Sequence, residues 1–193
     1  MAEAKPLEYK KLEFLSEKQL VEHYTLYNGY VNKLNEARSN LPNIDFTKAN
    51  QTFSELRSIK RAETFALNGI KLHESYFENI SEAKKPEGKI LRMIEHGFNS
   101  YEDFKKEFMA TALAVRGWVV LAYDLDECGL RIIGSDAHDN GAVWNCVALI
   151  ILDVYEHAYF LDYGTARKAY VEKFMDNLNW DAANKILEKF TLK

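Results

Sequence analysis

A continuous apolar run from Cys146 to Leu152 is the feature that most restricts how this chain can fold. An apolar run without alternation is typical of a strand covered on both faces, and we predict a central strand here. Asp153 follows the run directly, and His157 follows four residues later. A carboxylate and an imidazole at the end of a buried strand need a partner or a metal, because burial removes their hydration.

Two long helices are predicted in the first half of the chain, over residues 17–37 and 52–80. Ser16 is a suitable N-cap for the first helix, and the segment 40–50 is a connector. Along the first helix an inward stripe recurs at spacings of three and four, formed by Leu20, His23, Tyr27, Tyr30 and Leu34. The stripe of the second helix is predicted to contain Leu56, Ile59, Ala66, Ile70, His73 and Phe77.

The hydrophobic period changes in the second half of the chain, after a boundary at residues 84–89. The predicted helices lie near 89–96, 101–114, 155–162, 167–177 and 180–190, and the predicted strands over 117–123, 130–133 and 146–152. This order predicts an α+β fold, with an N-terminal long helical hairpin followed by an α/β domain with a small three-stranded antiparallel sheet covered by helices. We divide the chain into an α-hairpin domain, 1–84, and an α+β domain, 85–193, and expect a metal site between them.

Composition excludes several classes of partner. The 193 residues carry a formal net charge of -4, which gives no reason to expect a nucleic-acid or membrane partner. No apolar run is long enough to span a bilayer, and the N-terminus lacks the apolar stretch of a signal peptide. Cys128 and Cys146 do not form a CxxC pair, so we expect one partly exposed thiol and one small core residue. We therefore predict a cytoplasmic protein.

The chain contains only 5 histidines, and their positions are informative. A single histidine on an apolar helix face is usually a core residue, but His23 and His73 lie on the inward stripes of two neighbouring helices. With Asp153 and His157 they supply three imidazoles and one carboxylate, a donor set that suits iron, manganese or zinc. His96 precedes a glycine at a predicted helix C-terminus and is assigned no function.

The segment Asp-Val-Tyr-Glu-His-Ala-Tyr-Phe, residues 153–160, closely resembles the signature of the iron/manganese superoxide dismutase family. The resemblance extends over nearly the whole chain, including His23 with residues 30–35, residues 68–73, Gly117-Trp118, Arg167, Tyr170, Phe174 and Asn179-Trp180. It implies an enzyme that disproportionates superoxide to oxygen and hydrogen peroxide at one iron or manganese ion per subunit. It also implies that the metal ligands are His23, His73, Asp153 and His157, with a solvent molecule as a further ligand.

The resemblance assigns roles to residues around the metal. Tyr30 takes the position that hydrogen-bonds solvent at the entrance to the site, and His138 is the expected neighbour of the metal-bound solvent. Trp118 and Tyr155 would form the walls of the pocket. The Glu156 side chain would cross a dimer interface and bind His157 of the partner subunit. This contact implies a homodimer or a tetramer.

Several residues depart from the family pattern. Tyr27 stands where many members have a second histidine, and Phe160 stands where they have a tyrosine, so the hydrogen bond between these positions must be altered or lost. Gly69 occupies the helical position that carries a glutamine in some members, which leaves that route to the metal-bound solvent empty. Tyr159 and Arg167 are expected around the ligands or at the interface.

Three alternatives remain open from the sequence. A zinc hydrolase could use the same donors, although the chain has no HExxH motif. A metal-binding relative of the family without dismutase activity would also keep the ligands. The histidines could instead be scattered core residues, but four of the 5 match functional positions of one family. The ligand set does not separate iron from manganese, because both use the same donors.

Overall fold

The computed structural model describes residues 1–7 and 12–189. Helix α1 spans Glu17–Asn40 and α2 spans Glu55–Asn79, and together they form the predicted helical hairpin. The Ser16 side chain accepts a hydrogen bond from the backbone N–H of Gln19, and Ser54 caps α2 in the same way. Of the stripe predicted for α2, Ala66, Ile70 and His73 are buried, whereas Leu56, Ile59 and Phe77 are half-buried.

The rest of the chain forms a sheet with helices packed against it. The further elements are α3 (Gly88–Phe98), α4 (Tyr101–Ala114), β1 (Trp118–Asp124), β2 (Gly129–Ser135), β3 (Cys146–Asp153), α5 (Phe160–Tyr163), α6 (Arg167–Asp176) and α7 (Trp180–Lys189). All strand pairs are antiparallel, so the predicted α+β fold with a helical hairpin and a three-stranded antiparallel sheet is confirmed. No helix within the described residues is long and apolar enough to cross a membrane.

The prediction that β3 is the central strand is wrong. The strand order is β2-β1-β3, so β1 is central and β3 forms an edge. The last part of β3, from Leu149 to Asp153, is nevertheless buried, because α2 and α7 both pack against this strand. An apolar run indicates that the side chains on both faces of a strand are buried, and helices can cover the faces of an edge strand as well as those of a central strand.

A β-bulge in β3 links this strand to α2. The pairing of β3 with β1 shifts so that Leu149 is the extra residue. The side chain of Asn79, at the end of α2, accepts a hydrogen bond from the Ile151 N–H at 2.7 Å and lies 3.4 Å from the Leu149 carbonyl oxygen. Asn79 thereby satisfies backbone groups beside the bulge and fixes the position of the strand end that carries Asp153.

The continuous helix predicted for residues 155–162 is also wrong. The chain instead forms a 3₁₀ turn at Glu156–Ala158 followed by the short helix α5. A continuous α-helix would join the Leu161 N–H to the His157 carbonyl oxygen. The buried amide of Gln19 takes both groups, donating to the His157 oxygen at 2.6 Å and accepting from the Leu161 N–H at 3.0 Å.

Candidate metal centre

Four side chains from separate parts of the chain converge between the hairpin and the sheet. His23 comes from α1, His73 from α2, Asp153 from the end of β3 and His157 from the turn that follows. One potential ligand atom of each lies within 4.8 Å of the others. The side chains of His23, His73 and Asp153 are at most 1% exposed, and that of His157 is 26% exposed. The four residues predicted to bind a metal are therefore close enough to share one ion.

The carboxylate oxygen Oδ2 of Asp153 is the centre of this cluster. The Nε2 atoms of His23, His157 and His73 lie 3.0, 3.2 and 3.7 Å from it. The other oxygen, Oδ1, accepts a hydrogen bond from the Tyr155 backbone N–H at 2.9 Å. One carboxylate oxygen thus faces three imidazole nitrogens in a nearly solvent-free space.

The hydrogen bond between His73 and the Gly69 carbonyl oxygen determines the tautomer of the His73 ring. Nδ1 lies 2.6 Å from the Gly69 carbonyl oxygen, which can only accept, so Nδ1 carries the proton of the neutral ring. Nε2 then presents a lone pair toward Asp153, and it is buried with no hydrogen-bond partner among residues 1–7 and 12–189. Two buried acceptors that face each other repel unless a cation or a proton lies between them. This arrangement fits a metal ion bound to both residues.

Burial and nearby side chains favour the charge states that metal binding requires. Burial lowers the pKa of His73 to about 3, and burial also lowers the pKa of His23. For Asp153, burial alone would raise the pKa, but the hydrogen bonds from His157 and His23 hold it below its ordinary value. At neutral pH the cluster therefore contains neutral buried imidazoles and an ionised carboxylate.

Aromatic rings, among them Trp118 and Tyr155, lie against the cluster. The buried Trp118 ring meets His73 edge-on, with centroids 5.0 Å apart. The Tyr155 ring stacks on His157 at 5.2 Å with an interplanar angle of 15°. The Tyr155 hydroxyl also donates to the Asp136 carbonyl oxygen, which joins this wall to the loop after β2. These contacts limit the orientations of the His73 and His157 rings.

His138 lies in the loop after β2 and is only 3% exposed. The indole N–H of Trp118 donates to its Nδ1 at 2.9 Å, so the neutral ring carries its proton on Nε2. Burial lowers the pKa of His138, which favours this neutral form. Gly117 supports the loop position, because a Cβ atom there would lie 2.8 Å from the Ser135 carbonyl oxygen. The His138 ring centroid is 5.7 Å from that of His73.

Tyr30 lies beside both His138 and His73. Its ring centroid is 4.8 Å from that of His138 and 5.3 Å from that of His73. Burial raises the pKa of Tyr30 to about 12, so the phenol remains protonated at neutral pH. Gly69 makes room for this ring, because a Cβ atom at residue 69 would lie only 3.0 Å from the Tyr30 ring. The Tyr30 ring therefore occupies the space that a side chain at residue 69 would take.

Tyr27 is bonded within its own chain. It is 1% exposed, and its hydroxyl donates to the Glu74 carboxylate at 2.9 Å and accepts from the Lys5 backbone N–H at 2.8 Å. The Lys5 ammonium forms an ion pair with Glu74 at 2.9 Å. Tyr27 thus links α1, α2 and the N-terminal segment through Glu74, the residue that directly follows His73 in α2.

The remaining predicted residues follow β3. Glu156 and Phe160 are exposed, whereas Tyr159 is buried. The Arg167 guanidinium donates to the Tyr159 hydroxyl at 3.0 Å and to the Val115 carbonyl oxygen at 2.9 Å. Tyr159 and Arg167 therefore support the turn that contains His157 from the protein interior. Glu156 and Phe160 face solvent.

Two residues near the cluster were not predicted. Gln19 positions the turn that contains His157, and its place four residues before His23, on the same helix face, was the available signal. Phe65 covers the outer side of the pocket, with its ring centroid 4.5 Å from that of His138 and 6.0 Å from that of Tyr30. Phe65 had no comparable signal, because an aromatic residue on a helix is usually core.

Comparison with known proteins identifies the family. Residues 86–186 match the family described as iron/manganese superoxide dismutases, C-terminal domain. The chain is 37% identical to the iron superoxide dismutase of Aquifex aeolicus, over 95% of this chain and 89% of that protein. It is 37% identical to the manganese superoxide dismutase of Haloarcula marismortui, over 95% and 91%, and 34% identical to the iron superoxide dismutase of Saccharolobus solfataricus, over 99% and 95%. The chain belongs to the iron/manganese superoxide dismutase family.

Proposed function

We propose that this protein is a superoxide dismutase that uses one iron or manganese ion, held by His23, His73, Asp153 and His157. The observation that carries the proposal is the buried, unpartnered Nε2 of His73, which faces the Asp153 carboxylate at 3.7 Å. Burying two acceptors in contact is unfavourable without a cation between them. In a chain of this family, the cation that fits is the redox metal.

The bound ion would supply one-electron transfer in both directions, oxidising one superoxide to oxygen and reducing a second, which leaves as hydrogen peroxide after taking up two protons. The protein residues would orient the reactants and supply hydrogen bonds. Tyr30 keeps its phenolic proton at neutral pH because burial raises its pKa to about 12. His138 has its proton on Nε2 because Trp118 occupies Nδ1. Both are hydrogen-bond donors next to the cluster, as an anionic substrate and a peroxide product require.

Positioning residues would hold the ligands in place. Gly69 accepts from His73, Gln19 binds the backbone of His157, and the Tyr170 hydroxyl donates to the Asp153 carbonyl oxygen at 2.9 Å. Hydrogen bonds of this kind fix the orientation of metal ligands, and their loss typically costs about 10–100-fold in metal affinity or activity.

We further propose a cytoplasmic homodimer, with the metal between the segments 1–84 and 85–193. Glu156 and Phe160 are exposed next to His157, which is the arrangement a dimer needs if Glu156 hydrogen-bonds His157 of the partner subunit. Cys128 and Cys146 are both free, which suits a reducing compartment. The hydrogen bond between a histidine and a tyrosine that many members form has no counterpart here, since Tyr27 bonds to Glu74.

The test is superoxide consumption by protein loaded separately with iron and with manganese, with the metal content measured in each sample. We expect one metal ion per chain and fast turnover in at least one form. Asp153→Asn is the informative variant, because it keeps the shape of the side chain but removes the negative charge. It should lose both metal and activity.

Full metal occupancy without turnover in both forms would identify a metal-binding relative instead of an enzyme. Turnover that persists in metal-free protein would contradict the proposal entirely. Zinc-dependent hydrolysis without superoxide consumption would support the hydrolase alternative.

A further inference from the structure

A cavity of about 270 Å³ lies between α2 and the sheet. We call it the sheet groove. Its apolar lining includes Leu72, Val120, Ala122, Ile133, Ala148 and Ile151. The groove adjoins the metal cluster, because Trp118 and His138 line the groove and also lie beside His73 of the cluster.

Small side chains make the groove hollow. Ala122 of β1 pairs directly with Ala148 of β3, so two methyl groups lie where larger side chains would fill the space. The bulge at Leu149 changes the alternation of β3 and places Ala148 and Ile151 on the same face. The cavity is therefore built into the sheet by its sequence and register.

The groove has a positive mouth. Lys71 is exposed, and among the described residues that line the groove it is the only lysine, arginine, aspartate or glutamate. Within residues 1–7 and 12–189, no ion pair involves Lys71. An unpaired ammonium at the mouth of an apolar cavity, in a chain with a net charge of -4, complements an anionic head group on an apolar body.

The rim adds apolar surface. Val143 lines the groove and is 52% exposed, and the neighbouring Trp144 is 93% exposed. A large aromatic side chain left in water next to an apolar cavity is available to a ligand that projects from the mouth.

We propose that the sheet groove binds a medium-chain aliphatic carboxylate, with its hydrocarbon chain over Ala122 and Ala148 and its carboxylate at Lys71. The groove volume of about 270 Å³ lies just below the range of about 300–1,000 Å³ that is typical of small-molecule sites, which suits a single aliphatic chain. This site uses none of the four proposed metal ligands, although it shares the wall residues Trp118 and His138 with the proposed dismutase site.

The test is isothermal titration calorimetry of the full-length protein with octanoate, butyrate and octan-1-ol. We expect octanoate to bind with a stoichiometry of one per chain. Butyrate should bind more weakly because its chain buries less apolar surface, and octan-1-ol more weakly because it has no charge to pair with Lys71.

Variants separate the two contributions. Lys71→Gln should weaken octanoate binding about twofold to fivefold, the range expected for an exposed ion pair. Lys89→Gln, an exposed lysine at the start of α3, is the matched control and should leave binding unchanged. Ala148→Leu should fill the groove and weaken binding more than about tenfold, with circular dichroism confirming that the variant is folded.

Three results would overturn the proposal. Octanoate could fail to bind, octan-1-ol could bind as tightly as octanoate, or Ala148→Leu could leave binding intact. If octanoate fails to bind and Ala148→Leu changes the oligomeric state in sedimentation, a second copy of the chain covers the groove instead.

Discussion

Trp118 and His138 lie between two regions of opposite character, the metal cluster and the sheet groove. On one side, three imidazoles and a carboxylate crowd together within 4.8 Å, and buried polar atoms are left without partners. On the other side, the sheet groove is hollow because its side chains are small and apolar. A polar cluster without partners is unfavourable when empty and so requires a specific kind of occupant, a cation. An apolar cavity can remain empty without leaving a buried polar atom unpaired. It therefore requires no particular occupant and favours only ligands with an apolar part.

The largest effect should come from removing a ligand on the polar side. His73→Ala should lower metal affinity by more than about a hundredfold, because it removes a direct ligand and not merely a supporting hydrogen bond. Metal content after dialysis against a chelator measures this. His96→Ala, a histidine outside the cluster, should retain its metal. A His73→Ala protein with full metal occupancy would disprove the ligand assignment. It would also remove the contrast between the metal cluster and the sheet groove.

Removing a support of the polar side should have a smaller effect. Gln19→Ala frees the His157 carbonyl oxygen and the Leu161 N–H to bond with each other, which would extend the helix and move the ligand. We expect metal affinity to fall about 10–100-fold. Gln51→Ala, at an exposed position, is the control. Affinity unchanged in Gln19→Ala, measured by competition with a chelator, would show that the turn is rigid without this amide.

Changing the shared wall tests whether it tunes the metal. His138→Gln replaces an imidazole whose Nδ1 accepts from Trp118 with an amide of different reach. We expect the ratio of iron-loaded to manganese-loaded activity to shift by about tenfold, because groups near a metal alter its reduction potential. An unchanged ratio, with metal content equal to that of the wild type, would assign this tuning to another residue.

The smallest effect is expected on the apolar side. Ala148→Leu adds apolar atoms to an existing space, so the free energy of unfolding should change by less than about 1 kcal/mol. Metal content and dismutase activity should not change. Denaturant unfolding and metal analysis measure the two quantities. A large loss of metal in this variant would mean that the metal cluster and the sheet groove are coupled through Trp118 and His138.

Local patterns predicted the elements that form the site. The spacing of apolar residues in α1 and α2 placed His23 and His73 on inward faces, because a helix of fixed period puts every third or fourth residue on one side. The apolar run before Asp153 correctly indicated burial of its end. The family resemblance added the roles expected for Tyr30 and His138, which periodicity does not indicate.

Two local predictions failed for reasons outside their own segments. The edge position of β3 depends on which strand pairs with β1, and its apolar run would look the same in a central strand. The interrupted helix after β3 depends on Gln19, which is distant in sequence and takes the hydrogen bond that would have continued the helix. In both cases a long-range contact overrides a local preference.

The sequence by itself determined the α+β class, the helical hairpin and the identity of the four clustered side chains, since these follow from periodicity and from residue chemistry. The tertiary structure alone decided the His73 tautomer, the closure of the Gly69 position by Tyr30, and the sheet groove beside the metal cluster. Each of these depends on distances between atoms far apart in the chain. Such distances are set only when the helices, the bulge and the loop after β2 pack together.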